Sequence, residues 1–88
     1  MIQKHSFLFM SYSHDKEEIL HNFAENVRKY RLQKGLTQLD LAAVVDIDLR
    51  QIKRYEAAAS TATIVYACRI ADALGVSTDD LLCVKKEE

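Results

Sequence analysis

The chain has no proline, no tryptophan and only two glycines, Gly35 and Gly75. Strands need turns, and turns draw heavily on proline and glycine, so a mainly β architecture is excluded and a helical one expected. Cysteine is just as scarce. Cys68 and Cys83, without CxxC spacing, make no disulfide framework, and both are expected to be reduced thiols. Cys68 falls on what reads as a buried helix face, where it would act as a small packing group. The histidines, His5, His14 and His21, lie together near the start with no cysteine or further histidine beside them, so a zinc site is not expected. His14 with Asp15 and Glu17 reads as a solvated helix start. No nucleophile elbow, phosphate loop or metal-ligand spacing occurs, so neither catalytic residues nor a cofactor are expected. The longest early apolar run, Phe7-Leu8-Phe9-Met10, is far too short for a transmembrane helix or a signal-peptide core. A soluble, cytoplasmic protein with no membrane partner is the expectation.

What is present fits one small globular domain. The 88 residues suffice for a single core. A hydrophobic content of 49% beside 28% charged residues excludes wholesale disorder. The net charge is only −1, but its distribution is uneven. From Asn26 to Glu56 seven basic residues (Arg28, Lys29, Arg31, Lys34, Arg50, Lys53, Arg54) face four acidic ones (Asp40, Asp46, Asp48, Glu56). That middle carries +3 and the remainder −4, which suits a local phosphate-facing patch on an acidic body.

The periodicity predicts five helices. Ile19, Leu20, Phe23, Val27 and Tyr30 recur at spacings of three and four, giving a first helix at about Lys16 to Lys34. Asp15 or Ser13 caps its start, and Gly35 stops it. Thr37 caps a second helix running to about Val45, with Leu41, Ala42 and Val45 inward. Asp48 caps a third, about Leu49 to Glu56, with Ile52 and Tyr55 inward. Ala57 to Thr61 forms a connector. A fourth helix, about Ala62 to Leu74, turns Ile64, Ala67, Cys68, Ala71 and Leu74 to one side, and Gly75 ends it. Ser77 and Asp80 make a capping box for a short fifth helix carrying Leu81 and Leu82. Residues 1–14 are an N-terminal extension or arm, 15–84 the domain, and 85–88 a flexible tail. Phe7 to Asp15 also resembles the opening strand and Ser-Tyr-Ser turn of a TIR domain, but no alternating strands follow it.

The second and third helices, short and tightly joined, have the form of a helix-turn-helix. In this setting the chain resembles the Cro/phage-repressor (XRE) family from about Val27 to Leu82. The carriers are Arg31 and Gly35, Thr37-Gln38, Leu41-Ala42, Ile47, Ile52, Tyr55-Glu56, and Ile70 to Ser77. The resemblance implies an all-α, five-helix repressor-like bundle with a central helix-turn-helix, here with the N-terminal extension added. It also implies a sequence-specific DNA-binding regulator, a repressor or controller, reading the major groove with Leu49 to Glu56. Such a protein would bind a palindromic double-stranded operator as a homodimer in a bacterial or phage-type, nucleoid-associated setting.

Site residues follow from the same register. Gln38 sits at a helix N-terminus, which favours a phosphate, and the resemblance implies that it touches backbone phosphate or braces a side chain of the third helix. Leu49, Arg50, Gln51, Lys53 and Arg54 face outward on that helix. The resemblance implies that Leu49, Arg50 and Arg54 stand at positions that often reach bases, and arginine bonds a guanine edge in bidentate fashion. Leu49 suits a thymine methyl and Lys53 a phosphate. Arg31 and Glu56 are implied as a structural ion pair. Val76, Leu81, Leu82 and Val84 are candidates for the dimer interface, with core closure the alternative for Leu81 and Leu82. Three departures bear on affinity. Asp46 replaces the usual turn glycine, Asp48 the usual Ser or Thr cap, and Ala57 and Ala58 an Asn-Gly step. The acidic turn and alanine loop keep a second reading open, a protein-interaction module that has lost DNA binding.

Overall fold

The computed structural model describes residues 15–83, and these form five helices and no strand. They are α1 (Lys16–Gln33), α2 (Gln38–Val45), α3 (Leu49–Glu56), α4 (Ile64–Leu74) and α5 (Thr78–Leu82). The expected arm at 1–14, the tail at 85–88 and Val84 lie outside the described residues.

Each helix start is capped by the polar side chain in front of it. Asp15, Thr37, Asp48, Thr63 and Ser77 all accept a backbone N–H from the first turn, satisfying a donor that has no intrahelical partner. Thr37 with Asp40 and Ser77 with Asp80 are full reciprocal capping boxes. Aspartate thus does the work usually given to glutamate or glutamine. α1 ends one residue earlier than expected, with Lys34 as its C-cap and Gly35 in the left-handed region at φ 73°.

The core is Phe23 and Val27 of α1, Leu41, Ala42 and Val45 of α2, Ile52 and Tyr55 of α3, Ala67, Ile70, Ala71 and Leu74 of α4, and Leu81 of α5. α1 packs along α3, α4 and α5, and α2 bridges α3 and α4. The Phe23 and Tyr55 rings meet edge-on at 5.7 Å, locking α1 to α3. Burial of the phenol raises the Tyr55 pKa above its usual value.

Three expectations need correcting. α4 starts at Ile64, two residues later than expected, with Thr63 as its cap. Its buried face is Ala67, Ile70, Ala71 and Leu74, so Ala67, Ala71 and Leu74 turn inward as expected, Ile70 joins them, and Ile64 and Cys68 do not. Ile64 is 83% exposed and Cys68 is exposed, so Cys68 is not a core packing group. Leu81 is fully enclosed, and the Asn26 side chain donates to its carbonyl at 3.1 Å. It therefore closes the core of its own chain and offers no surface to a partner.

Candidate nucleic-acid interface

The turn between α2 and α3 is Asp46-Ile47-Asp48. Asp46 lies in the left-handed region (φ 64°, ψ 56°), a conformation that aspartate tolerates better than most residues. Its N–H and that of Ile47 both donate to Ala42 O, ending α2. Ile47 is half-buried against the core, and Ala42 is buried where α2 packs on α3 and α4. Asp48 then accepts from Arg50 N at 2.9 Å and opens α3. These local bonds set the angle at which α3 leaves the body.

α3 is sharply two-sided. Ile52 and Tyr55 are 0% and 1% exposed, whereas Arg50, Lys53 and Arg54 are exposed. The Arg50 and Lys53 side chains form no ion pair among the described residues. Arg54 donates from Nη2 to Ala59 O at 3.2 Å, which ties it to the loop after the helix. Leu49 and Gln51 stand less proud than their register suggested. Leu49 is half-buried against the core, and half-buried Gln51 donates to the Tyr55 hydroxyl at 3.4 Å. The outer face is therefore cationic and carried by three side chains.

A buried polar cluster holds this helix in place. Arg31, at the end of α1, donates from Nε to Glu56 Oε2 at 2.6 Å and from Nη2 to Oε1 at 2.9 Å, a bidentate pair. Its Nη1 donates to Leu36 O at 2.8 Å, pinning the α1–α2 turn. Gln38 adds a bond from Nε2 to Glu56 Oε1 at 3.1 Å. The two charged side chains are only 9% and 5% exposed. The hydrogen bond to Glu56 raises the Arg31 pKa, outweighing the opposing effect of burial, with charge attraction adding to the rise. Gln38 is thus a brace for the α3 end through Glu56, one of the two roles expected for it.

The loop after α3 contains Ala58 at φ 56°. The family resemblance implies glycine at this position, and the backbone keeps the left-handed turn without one. No cluster of metal-binding side chains occurs among the described residues, and none of their helices is long and apolar enough to cross a membrane.

With this geometry in view, the relatives are informative. Residues 27–81 match the helix-turn-helix family model that covers XRE-type domains. The chain belongs to the XRE-type helix-turn-helix family. Among solved structures it is similar to the restriction-modification controller protein C.AhdI from Aeromonas hydrophila, at 27% identity and a TM-score of 0.67, covering 70% of this chain and 94% of that one. The wild-type controller protein C.Esp1396I is 31% identical, with a TM-score of 0.66 over 73% of this chain and 86% of that one. A hypothetical transcription factor from Neisseria, NHTF, gives 25% and 0.71 over 83% and 87%. No curated protein sequence matches the chain. It is a DNA-binding protein of the transcription-regulating kind.

Proposed function

We propose that the protein is a sequence-specific regulator that binds a palindromic operator as a homodimer, with α3 of each copy in the major groove. The observation that carries this reading is the two-sidedness of α3. An anchored inner face at Ile52 and Tyr55 holds Arg50, Lys53 and Arg54 outward from a rigid base. Arg50 and Arg54 lie one turn apart and read base edges, as bidentate donors to guanine. Lys53 grips a phosphate, and Gln38 offers backbone contact at the α2 N-terminus while bracing Glu56. Leu49 and Gln51 contribute at the margins of the groove, Leu49 through a thymine methyl. A homodimer is proposed because one such domain buries little DNA surface. Val76 and Leu82 are the described apolar candidates for the partner face, both half-buried. Likeness to controller proteins favours a controller or repressor role. No catalysis is proposed.

Titrating the protein against DNA at several salt concentrations tests this reading. Log affinity should fall linearly with log salt, and Arg50→Glu with Arg54→Glu should abolish binding while the fold persists. Binding that is absent, or indifferent to salt and to charge reversal, would falsify it. The second reading, a protein-interaction module, is favoured by one feature: Asp46 and Asp48 place two negative charges beside the N-terminus of α3. Under it the double reversal would leave partner binding intact.

A further inference from the structure

An open apolar groove of about 530 Å³ lies between the start of α1, the loop and first turns leading into α4, and α5, and none of the residues proposed to meet DNA lines it. Ile19, Leu20, Ile64, Ala67, Cys68 and Leu82 supply half of its lining residues, and Thr61, Thr63 and Thr78 are among the rest. Ile64 is 83% exposed at the first turn of α4, and Val65 beside it is 56% exposed. Such surface is costly to leave in water, and a groove bounded by three helices suits an inserted side-chain cluster. Lys16, the first residue of α1, lines the same groove, so the chain enters the fold at its edge.

The residues that precede this entry point include the densest apolar run in the sequence, Phe7-Leu8-Phe9-Met10. Only Ser11 to His14 separate that run from the Asp15 cap. Extended chain spans at most about 3.3–3.6 Å per residue, so the five-residue step from the run to Asp15 is a tether of at most roughly 18 Å, and the groove begins at the next residue. We infer that the groove is the docking site of the chain's own N-terminal segment, with Phe7 and Phe9 seated against Ile19, Leu20, Ile64 and Cys68. Intramolecular docking is chosen over a second copy because the tether is short, which gives the segment a high effective concentration at its own groove. Leu82 also belongs to the proposed dimer face, so the seated segment would border that face.

Cys68 supplies the probe, because it is exposed and lines the groove. The full chain carrying Cys83→Ser is treated with a maleimide in the absence of DNA, with and without Phe7→Asp and Phe9→Asp. Cys68 should react about tenfold more slowly in the chain with intact phenylalanines, the ratio for a segment seated about nine-tenths of the time. That protection should be the same across a hundredfold range of protein concentration. Equal rates in the two chains would overturn the proposal. Protection that vanishes on dilution would also overturn it, assigning the groove to a second copy instead. Neither outcome touches the DNA-binding reading, which is measured separately.

Discussion

At the residue scale, the Arg31–Glu56 pair is the point of greatest leverage. Both charges are nearly enclosed, so removing one leaves the other without compensation in a poorly solvated site. Glu56→Ala is expected to cost about 3–5 kcal/mol, read as a lower urea midpoint. Replacing both, Arg31→Met with Glu56→Leu, should cost much less, because no stranded charge remains. If the single variant proved as stable as the parent, the pair would be no more than a surface contact. Backbone strain acts in the opposite direction. Asp46 and Ala58 occupy left-handed conformations at φ 64° and 56°. Ala58→Gly should raise stability by about 0.5–1 kcal/mol, since relief of strain exceeds the entropy that glycine adds to the unfolded chain. A lower melting temperature for that variant would contradict the assigned turn.

At the element scale, the helix starts carry the testable chemistry. Asp40 and Asp80 each accept a backbone N–H from the cap residue of their own helix, at 2.9 and 3.0 Å. Those bonds, to Thr37 and Ser77, lower both carboxyl pKa values below the ordinary 3.8. A carboxylate lowered by folding stabilises the fold fully above its unfolded value and loses that contribution as pH falls through its folded value. Both boxes should therefore hold at neutral pH and open only below 3.8. Carboxyl-carbon NMR titration of the two residues checks this, and midpoints at or above 3.8 would refute it. Asp48 caps α3 equally well but sets a negative charge beside the proposed DNA face. Asp48→Ser keeps an oxygen acceptor and removes that charge, so it should tighten DNA binding several-fold at unchanged melting temperature. Weaker binding would place the α3 N-terminus away from phosphate.

At the scale of the whole molecule, three cations of the basic middle share the outer side of one helix. Arg50, Lys53 and Arg54 project from a helix held on its inner side by α1 and α2, with Asp46 and Asp48 at its N-terminal edge. A dimer of such faces would read half-sites about one helical turn, roughly 10 base pairs, apart. Inserting about 5 base pairs between half-sites turns the second to the opposite side of the duplex, so cooperative binding should be lost while single-site binding survives. Retained cooperativity would exclude a rigid symmetric dimer.

Much of this molecule was legible in the chain itself. Caps, stops and the two-sided pattern of α3 are local, so Asp15, Thr37, Asp48 and Ser77 at helix starts, and Ile52 and Tyr55 against Arg50 and Arg54, could be read in order. The Arg31–Glu56 pair joins residues 25 apart and was reached through family resemblance, since nothing local connects them. The third dimension decided which apolar side chains were needed inside. Ile70 and Leu81 went to the core while Ile64 and Cys68 stayed at its edge, although all four look equally suited to burial. It likewise drew Leu49 and Gln51 partly inward, leaving three cations to form the outer face. Local hydrogen bonding determines where a helix begins and what it presents, but burial depends on the neighbouring helices, whose positions no single segment specifies.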